Sequence, residues 1–352
     1  MEDRTERKRM VHYDLLRIAA AFSVVMLHSA AQFWNSLDIA SLEWRIADGY
    51  NALSRFGVPI FVMISGAMLL SEQYKLDIRK LYAHNVLRLA VAYAFWSCMY
   101  GLLDCWFYGF SHMSWGDIFR EMLYGRYHLW FLPMLIGIYV LLPILRVWVH
   151  NAQKKNLQYF LLLFFILKIL VQTVGEIWSS NMLAYVLNMT QIELACGYVG
   201  YFILGYYIAH IGITPKYRKI LYIGVLPSAI LNVALGYGLS VRAQAPLGGI
   251  YDSFGLFTFC IVCAVFVFFT EVMSKVRYSA RAEGFIKEIS LGTMGVYMMH
   301  IGVMEILEKK GIHSMMIPNA AGIPLCAALC FLICLIVAVF LRRLPFIGKY
   351  IL

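Results

Sequence analysis

Ten apolar stretches, each about as long as one bilayer crossing, dominate this sequence. They cover 12–33, 51–70, 82–103, 128–147, 157–177, 192–211, 219–239, 251–271, 288–307 and 319–341. A helix needs roughly 20 apolar residues to cross the hydrocarbon core. Lipid tolerates only structures that satisfy their own backbone groups, which for stretches of this kind means helices. The pattern predicts an all-α, polytopic integral membrane protein of about ten transmembrane helices. Composition agrees: 61% of the 352 residues are hydrophobic and 14% are charged, against about 45–50% and 25% in a soluble domain. A water-soluble globular enzyme is excluded. The connections are too short for a second domain. Residues 1–352 therefore read as one membrane domain with short tails at 1–11 and 342–352, and no internal repeat is visible.

Charge sets the expected direction. With the N-terminus in the cytoplasm, twenty Lys and Arg fall on the inner side and six on the outer, while Arg17, Arg55, Arg88 and Lys168 lie within spans. Positive residues collect in cytoplasmic loops, so both termini are expected there. The net charge of +10 then needs no nucleic-acid partner. The first stretch has the basic lead and small exit residues of a signal peptide. Asp14 and Arg17 interrupt it, however, and nine more stretches follow, so an uncleaved first helix is expected. The eight cysteines read as small buried hydrophobes, and no cluster has the spacing of metal ligands.

An ionisable residue within a span costs at least about 2.5–3.5 kcal/mol on insertion scales, and is a functional candidate for that reason. Arg17 and His28 are the most informative pair. Eleven residues at about 100° each bring them within about 20° of one another on the helix, some 16 Å apart along its axis. Asp14 sits one turn before Arg17, and the residues between are small: Ala20, Ala21, Val24 and Val25. One reading is a polar tunnel, with Arg17 at the inner mouth for a phosphate or carboxylate and His28 deeper for proton transfer. The other is an interfacial Asp14–Arg17 ion pair and a His28 bonded to a neighbouring carbonyl. Spacing alone leaves both open.

The second stretch places Arg55 near the outer face. It also holds Pro59, expected to break one backbone bond, and Gly57 and Gly66, which permit close helix approach. The fourth opens on Tyr127-His128-Leu129-Trp130. An interfacial aromatic belt accounts for Tyr127 and Trp130 but does not require His128. Glu193, Tyr297, His300 and Glu305 are further lone polar residues, each either functional or simply buried and satisfied.

Five pieces in order carry a resemblance: Asp14-Leu15-Leu16-Arg17 with R-x10-H to His28, VPIFVMISG from Val58 to Gly66, His128-Leu129-Trp130-Phe131, YFILGYY around Gly205, and LGTMGVYMMH ending at His300. Together they resemble the acyltransferase-3 superfamily of bacterial integral membrane acyltransferases over nearly the whole chain. SRFGVPIFVMISG and YHLWFLPMLIGIYVLLPIL look most like the branch that contains the O-acetyltransferase of enterobacterial common antigen. The resemblance implies transfer of an acyl group, most often acetyl from acetyl-CoA, to a hydroxyl of an envelope polysaccharide or its lipid-linked precursor. The enzyme would sit in the bacterial cytoplasmic membrane and hold no permanently bound cofactor.

On that reading His28 and Asp14 are the catalytic candidates, and Arg17 and Arg88 the donor-binding ones. Arg55, His128, Trp130, Tyr297, His300 and Glu193 are candidates for the acceptor side. Many members carry Arg-x-x-Arg at the start of the third helix, where this chain has Asn85-Val86-Leu87-Arg88. His84, Arg79 and Lys80 stand nearby. The expected partners are the bilayer, an acyl-CoA and a glycan or lipid-linked saccharide, with self-association left open. A second reading is a transporter or flippase for a glycan or small organic acid, since intramembrane charges also mark substrate pathways. Such proteins often show inverted repeats, and none is visible here.

Overall fold

The structure is a computed structural model and describes residues 9–109, 115–178, 182–189 and 197–351. Every regular element among them is helical. Nine helices among the described residues are long and apolar enough to cross a membrane: Val11–Ala31, Leu42–Leu69, Ile78–Phe107, Tyr127–Asn151, Lys154–Trp178, Pro215–Ala243, Gly249–Lys275, Ala280–Lys309 and Asn319–Leu341. They fall on nine of the ten expected stretches, so the chain is an all-α, polytopic membrane protein. The remaining stretch, 192–211, appears as Tyr198–Ile211, nine residues of α-helix followed by five of π-helix. That described part is too short to cross alone.

The helices that build the site are α1 (Val11–Ala31), α2 (Leu42–Leu53), α3 (Gly57–Leu69), α4 (Leu87–Tyr108), α5 (Phe131–Asn151), α6 (Tyr198–Tyr206), α7 (Ala280–Lys309) and α8 (Asn319–Leu341). The small stripe on α1 lets other helices crowd it. Ala20, Ala21, Val24 and Val25 are buried, and α2, α3, α7 and α8 all pack against α1. Gly57 at the start of α3 meets α1 so closely that a Cβ there would lie 2.6 Å from the Ala20 carbonyl oxygen.

The second stretch departs from expectation in two ways. It begins earlier, at Leu42, where the Ser41 hydroxyl accepts the Trp44 amide at 3.0 Å and caps the helix. It also divides into α2 and α3 at Ser54–Phe56. Pro59 therefore sits in the first turn of α3, where an amide has no intrahelical partner to lose. The expected break at Pro59 is corrected to one just before it.

Two glycines set the tightest crossing. A Cβ on Gly66 of α3 would run into the backbone carbonyl of Phe202 on α6, and one on Gly205 would run into the Met63 carbonyl on α3. The two backbones touch with no side chain between them. Just beyond, carbonyls at the end of α3 and in the two residues that follow it are taken up by basic groups from other elements. Arg146 Nη1 donates to Leu69 and Ser71, both at 2.8 Å. His150 Nε2 donates to Leu70 at 2.8 Å, and His210 Nε2 to Ala67 at 2.7 Å. Donors at a helix C-terminus satisfy orphan carbonyls, and the Arg146 charge also suits the helix dipole.

The described cysteines are free thiols. Cys105, Cys263, Cys326, Cys330 and Cys334 are buried, and Cys98 and Cys260 are half-buried. Cys196 lies outside the described residues.

Candidate functional site

Polar groups gather at the two ends of α1. Near its start, Asp14 is buried and fully engaged. Arg9 approaches it with two nitrogens, at 2.5 and 2.9 Å, and Arg17 Nη1 donates to Oδ1 at 3.1 Å. The Ser290 hydroxyl of α7 adds a fourth bond at 2.7 Å. A buried carboxylate persists only when paired and hydrogen-bonded, and Asp14 is both. Asp14 stands beside Arg17, about 21 Å along the helix from His28 at 1.5 Å per residue. The other Arg17 Nη faces the Met68 sulfur at 2.7 Å.

Arg17 also lines a cavity of about 560 Å³. Ser65 and Met68 of α3 form one wall, Asn85 and Arg88 another, with Tyr139 of α5 and Tyr350 from beyond α8. The structure thus brings together Arg17 and Arg88, 71 positions apart in sequence. It also adds His84 to the lining. His84 and Asn85 belong to a π-helical turn, Leu81–Val86, that leads into α4; such turns are frequent at functional sites. Arg88 is exposed and makes no ion pair among the described residues. The charge of Arg17 is opposed by Asp14, and that of Arg88 remains open to a ligand.

At the other end of α1, three histidines from three elements converge. His28 comes from α1, His300 from α7, and His128 from the 3₁₀ turn Tyr127–Trp130 that precedes α5. The His300 ring centroid lies 5.0 Å from that of His28 and 5.0 Å from that of His128. His28 is half-buried, His128 and His300 fully so. Tyr127 covers His28 at 5.6 Å. Tyr297 packs on both buried rings, at 5.9 and 5.8 Å, and its hydroxyl donates to the His128 carbonyl.

Tyr100 of α4 locks this cluster from behind. Its hydroxyl donates to the Met298 carbonyl at 2.8 Å and accepts the Gly302 amide at 3.1 Å, bridging the turn of α7 that carries His300. Its ring stands edge-on to His128 at 5.1 Å. Beside it Arg126 pairs with Asp104 at 2.8 Å and with Glu305. Among the described residues no group of His, Cys, Asp and Glu is placed to hold a metal ion.

The remaining candidates divide. Arg55 lies in the break between α2 and α3. Its Nε donates to Asn51 Oδ1 at 3.0 Å and its guanidinium covers the Tyr251 ring at 5.3 Å. Trp130 shares the turn of His128 but turns to Tyr198, at 5.5 Å, and stays 44% exposed. Glu193 lies outside the described residues. Tyr100, Arg126, Tyr139 and Ser290 were not marked by the sequence. Each is one of many such residues in helices of the same composition, and only the fold gives them partners.

A family model described as an acyltransferase domain (Acyl_transf_3) matches residues 11–340. No curated protein and no solved structure matches the chain.

Proposed function

The chain belongs to the acyltransferase-3 family, and on that premise we propose that it is a membrane-embedded O-acyltransferase. The donor is an acyl-CoA, in the first place acetyl-CoA. The acceptor is a hydroxyl of an envelope polysaccharide or its lipid-linked precursor, as for the branch acting on enterobacterial common antigen. One observation carries the reading: α1 alone supplies Arg17 to the cavity at one end and His28 to the histidine cluster at the other.

In this proposal the CoA phosphates lie at the Arg17–Arg88 cavity, on the cytoplasmic side where CoA is made. The pantetheine arm follows the small face of α1 toward His28. There the acceptor hydroxyl gives its proton to His28 as its oxygen attacks the thioester carbonyl. The C–S bond breaks, and the CoA thiolate takes the proton back. Arg55 stabilises the developing oxyanion or orients the acceptor, and His128, Trp130 and Tyr297 shape the acceptor side. Asp14 fixes the Arg17 guanidinium and stays out of the chemistry. Purified protein given acetyl-CoA and a lipid-linked glycan should release free CoA thiol and gain one acyl mass on the glycan. CoA release without a labelled glycan would overturn the acceptor class. Absence of both products would overturn the acyltransferase reading.

Arg88→Ala is expected to raise the donor KM about tenfold or more, the loss of one hydrogen bond to a charged group being worth about 1.5–3 kcal/mol. Arg17→Lys should have a smaller effect than Arg17→Ala, because the charge remains and the planar fork is lost. Acceptor KM should stay unchanged in all three. Isothermal titration with CoA checks this, and equal affinity in wild type and Arg88→Ala would remove the phosphates from this cavity.

Topology is tested separately. The uneven distribution of Lys and Arg predicts that reporters fused to either terminus report the cytoplasm and that one placed between Arg120 and Arg126 reports the far side. An external signal from either terminus would reverse the assignment of donor and acceptor ends.

A further inference from the structure

Both buried imidazoles of the cluster have a proton position set by the backbone. His300 Nδ1 lies 2.7 Å from the Tyr297 carbonyl oxygen. A carbonyl only accepts, so Nδ1 carries the proton, and in the neutral ring Nε2 presents a lone pair. That Nε2 is buried and has no hydrogen-bond partner. His128 repeats the pattern through a longer contact: Nε2 faces the Met298 carbonyl at 3.4 Å, and Nδ1 is buried and unpartnered. A buried acceptor left unsatisfied costs about 1–3 kcal/mol, so an orphan beside a reactive group asks for a donor.

The hydroxyls of Tyr297, Tyr100 and Ser29 do not supply one. Tyr297 donates to His128 O and Tyr100 to Met298 O, while the Ser29 hydroxyl donates to Ile323 O at 2.9 Å. His128 offers His300 a lone pair of its own. His28 remains. Its ring is 5.0 Å from His300, centroid to centroid. Catalytic hydrogen bonds are often long in unliganded structures and tighten with substrate.

We infer that His300 is the positioning residue of His28: its Nε2 accepts the N–H of one His28 ring nitrogen and thereby leaves the other as a lone pair aimed at the acceptor hydroxyl. The inference rests on the acyltransferase reading and assigns within it the member that fixes the base. A neutral imidazole occupies the place that a carboxylate takes in a serine-hydrolase triad. No proton leaves His300. The hydroxyl proton passes to His28 as the O–C bond forms, and returns to the thiolate when the C–S bond breaks.

The test compares His300→Leu with His300→Gln, close in size but with an acceptor oxygen only in the glutamine. The leucine variant should lose kcat by about 10²-fold, the low end for a proton-transfer group, with donor KM unchanged. The glutamine variant should recover most of that loss. Wild-type kcat in His300→Leu, or an equal loss in both variants, would overturn the assignment, the latter by showing a purely structural role. A second readout needs no turnover. In ¹⁵N-histidine-labelled wild-type protein, with His300 assigned by its absence from His300→Gln, the tautomer should carry its proton on Nδ1. A proton on Nε2 refutes the inference even if the leucine variant does not fold. If wild type transfers no acyl group, the function reading fails, and the tautomer still decides the geometry.

Discussion

His28→Ala is expected to lower acyl transfer by about 10³-fold or more, within the range for a positioned acid–base group, while the protein stays folded and keeps its affinity for CoA. The two halves of this result follow from different features. His28 is half-buried and makes ring contacts with Tyr127 and His300, so truncation removes little of what holds the bundle. In the proposed function donor affinity is set at the cavity of Arg17 and Arg88, about 16 Å away along α1. Turnover and CoA binding measured on the same preparation check both. A folded variant with wild-type turnover would take His28 out of the chemistry. A variant that loses CoA affinity in proportion would place the donor's phosphates at the wrong end.

Gly66→Leu and Gly205→Leu are expected to yield no folded protein. Each glycine faces a backbone carbonyl of the other helix, and backbone cannot turn aside as a flexible side chain can. Even alanine should be felt at either site, because overpacking a filled interface costs about 1–3 kcal/mol and sometimes more. Gly66→Ala and Gly205→Ala act on one crossing, so their effects should not add. The first substitution already separates the helices that the second would push apart. Gly224→Ala is the control. A Cβ there meets nothing within 4 Å, and alanine is the better helix former by about 1 kcal/mol. Thermal unfolding of the purified variants in detergent measures the series. Gly66→Ala melting with wild type would mean that α3 and α6 stand further apart than the geometry shows.

Periodicity and length exposed the helices because lipid demands apolar runs of one length. The Arg17–His28 stripe was legible because both residues sit on one helix, where spacing fixes direction. The partners of that stripe were not. His28, His128 and His300 share no pattern, and only the packing of α7 on α1 and the turn before α5 unites them. Which group Asp14 serves was not legible, because an acid one turn from an arginine on a stripe that ends in a histidine has the same spacing in either case. Only the fold gives Asp14 its partners Arg9, Arg17 and Ser290. The division of α2 from α3 was missed because Ser54-Arg55-Phe56 carries no strong breaker, and Pro59 drew attention to the wrong place.

Because Arg17 and His28 share one uninterrupted helix, their separation is fixed by helix geometry. Closure of a loop elsewhere does not change it, and in the proposed function it would act as a gauge for the donor. Removing one residue between positions 17 and 28 would shorten the gauge by only about 1.5 Å, yet turn His28 away by about 100°. Removing four would return the ring to within about 40° of its bearing and cut about 6 Å from the reach. The tolerance of the site is therefore periodic in sequence length, and the number of residues between the arginine and the histidine is as much a part of it as their identity.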